Sequence, residues 1–300
     1  MTTASLTSRG ATVKPRKPRK PPPEIRRRRM LFAVANHSVA IVLSLMFLIP
    51  LTVVLVTAFM THSQVGTGKL FPDPIYFGNF KQVFTQIPFV RYLANTIVYA
   101  GLATVGVVVS SVPVAYAFSR LRWRGRDATF ILVLATMMLP AQVTSVSLYI
   151  VFTRMHLIGT LVPLILPTFF GDAFSIFLLR QFFMTIPQEL SEAARIDGAS
   201  ELTILMRVIV PLAKPAIAAV ALFQFLYAWN DFYNPLLYTG NSASNMTLAV
   251  GITQFTTLAK GSAYEVQMAA SLMFVIPVII IFFFAQRVFI EGVTLTGVKG

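Results

Sequence analysis

The sequence predicts an all-α integral membrane protein with six transmembrane helices and both termini in the cytoplasm, and three observations lead there. Of 300 residues, 56% are apolar and only 12% charged, against about a quarter charged in soluble domains, and mean hydropathy is +0.71. Apolar runs near 33–59, 92–118, 128–151, 157–179, 213–238 and 267–289 each meet the roughly 20 residues a bilayer-crossing helix needs. The 25 Lys and Arg alternate in density between successive gaps, 20 falling on one side and 5 on the other. Basic residues concentrate in cytoplasmic loops, so the N-terminus and C-terminus are both placed inside.

Residues 1–29 carry ten basic residues, among them Arg26 to Arg29, interleaved with Pro15, Pro18 and Pro21 to Pro23. That composition cannot bury enough apolar surface to pack, so a disordered basic tail is expected, leaving residues 30–300 as the transmembrane domain. From Met30 to Gly68 there is no Lys, Arg, Asp or Glu, and no small-residue cleavage site closes a short apolar region, so the first span is read as retained rather than as a signal peptide. The second and third spans flank the Arg120, Arg122, Arg124 and Arg126 loop. The fourth contains Asp172 and the fifth Asp231; ionisable groups within spans face a cavity or a partner. Prolines at 50, 113, 140, 163, 167, 235 and 277 fit kinked helices around a pathway, and fit equally the ordinary enrichment of Pro in membrane helices.

The segment from Arg180 to Lys214 is too long and too patterned for a turn. Pro187 suits the first position of a short helix, Glu189 and Glu192 sit near its positive end, Arg195 is spaced to pair with Glu192, and Gly198 is a natural stop. Ser200 is placed to cap a second helix from Glu201, with Leu202, Leu205, Val208 and Ile209 as its apolar face and an end near Pro211 and Pro215. Two readings stand on these residues alone: an amphipathic pair lying at the membrane surface, or a docking element whose small Ala193 and Ala194 admit another protein closely.

Glu192-Ala193-Ala194, three residues, Gly198, nine residues and Val208-Ile209-Val210-Pro211 resembles the EAA signature of permease subunits in bacterial ABC importers, departing only in Val for Ile at 208 and Val for Leu at 210. Ile186-Pro187-Gln188-Glu189-Leu190, Ile196-Asp197-Gly198-Ala199, Ala115 to Arg120 and Trp229-Asn230-Asp231-Phe232 are similar to carbohydrate permeases of the maltose transporter type. The ending Ala285-Gln286-Arg287, Gly292-Val293-Thr294 and Gly297 to Gly300 is similar to that transporter's G-type subunit. The likeness covers about residues 33–300.

The resemblance implies that residues 187–211 form the loop that couples the permease to a separate ATP-hydrolysing subunit. Glu192 would be the anionic contact, Ala193 and Ala194 the close-packed surface, Asp197 and Gly198 the turn, and Pro211 the end of the motif. It implies a second permease subunit, a dimer of the ATPase and an extracytoplasmic solute-binding protein as partners, with ATP and Mg on the ATPase, no cofactor on this chain and the bacterial inner membrane as location. Gly297 and Lys299 would lie near the ATPase, unless the terminus is simply frayed. Trp229, Asn230 and Asp231 would line a pathway for a sugar or sugar-like solute, unless Asp231 pairs structurally; Asp172 is equally suited to capping a broken helix after Gly171.

Other chemistries are weaker. The chain has no Cys and 3 His, so thiol nucleophiles and cysteine metal sites are excluded and a histidine metal site is not expected. Gly66-Thr67-Gly68-Lys69 lacks the earlier Gly, where Ser63 stands, and the following Ser or Thr, where Leu70 stands, so it is not read as a phosphate loop. No catalytic residue is assigned and no nucleic acid is expected, although the basic tail suits anionic lipid. The competing function is a secondary transporter or channel working without ATP, which predicts an inverted repeat and buried coupling carboxylates.

Overall fold

The computed structural model describes residues 23–240, 242–258 and 263–297. Every regular element among them is helical. The chain divides into two compact units, residues 1–52 and residues 53–300.

The first unit is most of helix α1 (Pro23–Ala58). Its apolar side chains point outward on all sides, with Phe47 77% exposed, as a helix facing lipid requires. Ser44 and Thr52 return their hydroxyls to the carbonyls of Ala40 and Leu48 at 2.7 and 2.8 Å, so neither hydroxyl faces lipid unpaired. Residues 23–29, expected in the tail, belong to this helix; the correction follows from the high helix propensity of its four arginines and the permissive first-turn position of Pro23. Residues 1–22 lie outside the described residues.

The second unit is built on α3 (Phe89–Arg120), which packs against α7 (Ala173–Thr185) and α11 (Lys214–Asn230). Before it, α2 (Gly78–Gln86) is fastened by buried Asn79, whose amide donates to the carbonyls of Ala58 and Met60 at 2.9 and 2.8 Å. One core lies toward the Arg120 end, where Tyr116, Leu179, Phe183, Ile204 and Ile209 meet. A second gathers Tyr99, Phe152, Leu164, Trp229 and Tyr238, and a third joins Val83, Tyr92, Leu248 and Val266. The last includes residues of α13 (Leu248–Leu258) and α14 (Tyr264–Gly297).

Among the described residues, four helices are long and apolar enough to cross a membrane, or five if one bent pair counts as a single span. The expected third span is two helices, α4 (Arg126–Thr136) and α5 (Ala141–Arg154). Pro140 between them has no N–H and disfavours helix at the preceding residue. The expected fourth is α6 (Val162–Ile165), a 3-10 turn at Leu166–Phe170 and α7, interrupted at Gly171 with φ +96°. The fifth ends at Asn230, and α12 (Tyr233–Thr239) follows as a separate short helix.

Candidate functional site

Residues 187–211 fold into two helices joined by a tight turn. Helix α8 (Gln188–Ile196) ends at Asp197, and Gly198 follows with φ +81°, a left-handed conformation that costs a residue with a Cβ about 1–2 kcal/mol. The N–H of Ala199 donates to Ala194 O at 3.0 Å and that of Gly198 to Arg195 O at 3.1 Å, the paired bonds of a Schellman stop. Ser200 then accepts the Thr203 N–H at 3.3 Å and caps α9 (Glu201–Ile204). These two punctuation marks are where the sequence places them.

The helical period divides α8 into two faces. Ser191 is buried and Ala194 packs on the core of α3 and α7, whereas Glu189, Glu192, Ala193 and Ile196 are exposed. Ile196 is 87% exposed. This large apolar side chain stands one helical turn from Glu192, on the same face as Ala193; the residue types alone single out the glutamate and alanines, not Ile196.

Two details differ from expectation. Arg195 does not pair with Glu192: its Nε and Nη2 both donate to Glu201 Oε1, at 3.0 and 2.6 Å. The Schellman turn reverses the chain and brings the start of α9 beside the end of α8, closer than the expected partner three residues back. The second helix ends near Pro211 and Pro215, as expected, but by an irregular route. It runs from α9 through a wide π turn at Leu205–Ile209 into α10 (Val210–Leu212). It then bends by 81° before α11. The π turn shifts the hydrogen-bond register around a residue with no N–H to give. Ile204, Leu205 and Ile209 form the buried side, and Leu202, expected there, is 69% exposed.

Glu201 is the site residue that spacing does not reveal. Its Oε2 accepts the Tyr116 hydroxyl of α3 at 2.6 Å while its Oε1 takes Arg195 of α8. That hydroxyl, first, and Arg195 hold the Glu201 carboxyl below its ordinary range; the same pairing raises Arg195. A second tie lies beside it. Arg120 Nη2 donates to the carbonyls of Phe183 and Ile186, both at 2.5 Å, closing the open C-terminal end of α7. An open cleft of about 570 Å³ lies between the two ties, lined by Arg120, Arg122, Trp123, Ser191, Glu192 and Arg195.

The other candidate residues are not gathered at this site. Asp172 caps α7, its Oδ2 accepting the Ser175 N–H at 2.7 Å and hydroxyl at 2.5 Å. Asp231 accepts the Tyr99 hydroxyl at 2.8 Å and the Asn234 amide at 2.9 Å on Oδ2, and the Asn234 N–H at 3.2 Å on Oδ1. Its structural pairing is therefore extensive. Trp229, expected beside a pathway, is 1% exposed. It is stacked between Phe225 and Phe274 and donates its indole N–H to Phe274 O at 3.3 Å; a ring enclosed in this way is unavailable to solute. Asn230 is exposed and donates to Leu226 O at 2.8 Å. Gly297 is the last residue of α14, and Lys299 lies outside the described residues. His62 meets Glu265 at 3.0 Å, and among the described residues no group of three or more His, Asp or Glu is placed to hold a metal.

The described residues are thus an all-helical membrane chain with a two-helix turn at 187–211, and comparison with known proteins gives its class. Residues 106–294 match the binding-protein-dependent transport system inner membrane component family, and the chain belongs to it. It is accordingly an inner-membrane permease of a binding-protein-dependent ABC importer. It is 32% identical to the arabinooligosaccharides transport system permease protein AraQ of Bacillus subtilis (strain 168), over 90% of this chain and 97% of that one. To the sn-glycerol-3-phosphate transport system permease protein UgpE of Yersinia pestis bv. Antiqua it is 33% identical, over 85% and 94%. Its fold is similar to a chain of a bacterial ABC transporter involved in import of the acidic polysaccharide alginate, with TM-score 0.76 and 27% identity over 86% of this chain and 96% of that chain.

Proposed function

We propose that this chain is one of two membrane subunits of an ATP-driven importer for a sugar or sugar-like solute, and that residues 187–211 couple it to a separate ATPase. The observation that carries the reading is the exposed Glu192, Ala193 and Ile196 face of α8, held to α3 through Arg195, Glu201 and Tyr116. A partner pushing on that face moves α3 with it, because coupling needs a rigid element with a complementary partner. The sugar class rests on the arabinooligosaccharide relative. The full assembly comprises a second permease, two ATPase copies carrying ATP and Mg, and an external binding protein, with six spans here and both termini inside, as the 20-to-5 division of basic residues requires. Gly297 and Lys299 lie near the ATPase in this assembly, and Asn230 and Asp231 lie toward the outer end of the pathway.

The test is affinity purification of the tagged chain from its native membranes in mild detergent, with mass spectrometry of what accompanies it. An ATPase, a second permease and a binding protein are expected. A homo-oligomer without an ATPase would overturn the reading in favour of transport independent of ATP.

A further inference from the structure

Away from the coupling face, α3, α7, α11 and the 3-10 turn leave an open cleft of about 580 Å³. Its depth follows from the rise of 1.5 Å per residue: Val107 in its wall is about 20 Å along α3 from Arg120, and Gln224 about 15 Å along α11 from Lys214. Both helix ends adjoin the coupling helices, so the cleft lies near the middle of a hydrocarbon layer about 30 Å thick. Gly106 shapes it, since a Cβ there would overlap Thr168 Oγ1 and the Phe169 ring; only glycine lets the broken helix approach α3 so closely.

The lining is unusual for that depth. Asp172, Gln224 and Tyr227 stand with Thr168, Phe174 and Phe223, and the Phe174 and Phe223 rings lie 6.3 Å apart across it. Phe174, Phe223 and Tyr227 are all exposed. Asp172 spends only Oδ2 on the cap of α7, so Oδ1 remains an acceptor, and the positive end of that helix is already neutralised. Gln224 makes no side-chain hydrogen bond among the described residues. No Lys, Arg or His occurs in 92–119, 162–179 or 215–230, so nothing in these walls balances the carboxylate.

We propose that this cleft is a solute-binding site for an uncharged polyhydroxy molecule, a sugar, oligosaccharide or polyol, and that it rejects solutes bearing phosphate or carboxylate. Aromatic faces take the C–H side of a sugar ring while an amide, a carboxylate and a phenol take its hydroxyls, the mixture of apolar walls and few polar groups that small-molecule sites use. An anion would meet Asp172 in a medium of low dielectric with no cation to offset it. The assignment rests on the importer reading and separates this chain from its glycerol-3-phosphate and alginate relatives.

The chain has no Cys, so in the complete purified complex a single introduced thiol is the only one on this subunit, and its labelling is read by mass on the separated subunit. The rate of Gln224→Cys modification by 2-aminoethyl methanethiosulfonate, divided by that for the anionic 2-sulfonatoethyl reagent, is compared with the same ratio at the surface control Thr85→Cys. The ratio is expected to be at least tenfold higher in the cleft and to fall to the control value when Asp172→Asn is added. Arabinotriose, maltotriose or raffinose should slow the labelling, and sn-glycerol 3-phosphate should not. Equal ratios, protection by glycerol 3-phosphate, or no protection by any of the three sugars overturns the proposal. So does labelling of Thr85→Cys alone, which would mean that the second permease fills the cleft. Loss of the ATPase from the preparation would instead count against the importer reading.

Discussion

Glu201 joins two side chains on separate helices, Tyr116 of α3 and Arg195 of α8, and its removal is the sharpest test at the scale of single residues. Glu201→Gln keeps the shape but loses the charge that Tyr116 and Arg195 complement. The Tyr116 bond is charge-assisted yet partly screened at a side chain 41% exposed, so a loss of about 1 kcal/mol is expected in thermal unfolding. The pH dependence has a definite sign. The folded carboxyl lies below its unfolded value, so its contribution is present above that value, about 4.3, and is lost as pH falls through the folded one. Wild type and variant should therefore unfold at increasingly similar temperatures below about pH 4; a difference that persists there would show that the charge is not the cause. Glu192→Lys reverses an exposed charge with no hydrogen bond or ion pair among the described residues, so the protein should insert normally and lose ATP-driven uptake. Disruption of a partly desolvated pair costs on the order of 2–5 kcal/mol, and normal uptake would remove Glu192 from the docking face.

At the scale of elements, the connection between α8 and α9 depends on one backbone conformation. Gly198→Val forces a β-branched residue to φ +81°, at a cost of about 1–3 kcal/mol, and should release the Ala199 and Gly198 hydrogen bonds. Because nothing lies within 4 Å of a Cβ at this position, the defect is conformational rather than steric, and Gly198→Asn, which tolerates the left-handed region, should retain more uptake than Gly198→Val. Equal activities of the two variants would argue against a required turn. Gly106→Val tests the opposite situation, where φ is ordinary and space is the constraint. Displacing Thr168 should break the bond from Ser110 Oγ to Thr168 O, 3.1 Å, and lower the melting temperature, measurable in detergent.

For the whole molecule, the testable quantity is topology. Single cysteines introduced at Thr85 and Ser200 are expected on opposite sides of the membrane, so an impermeant thiol reagent applied to intact spheroplasts should label the first and spare the second. Labelling of both from outside would reverse the inside assignment of the coupling loop. The four or five spans among the described residues, α6 with α7 counted as one of them, do not decide the matter: α4 with α5 is interrupted at Pro140, and interrupted helices cross bilayers where neighbouring protein satisfies the freed backbone groups.

Much of this chain is written in composition and in local chemistry. Apolar runs, the asymmetric basic loops, the stop at Gly198 and the cap at Ser200 act within a few residues, and each is readable without knowing what lies opposite. The coarse family likeness is of the same kind, since a motif with fixed spacing is a local object. Which charges meet was settled only by packing. Arg195 chose Glu201 over Glu192 because a turn reversed the chain, and Tyr116 joined them from a helix distant in sequence. Arg120, legible as a topology charge and as part of a motif, closes the end of α7. Trp229 went inside because Phe225 and Phe274, from separate elements, sandwich it, while Asp172 reached a cleft formed by three helices and a turn. Pairings of that sort depend on distances between segments that hydropathy and spacing do not encode, so their energetics appear only when the helices are packed.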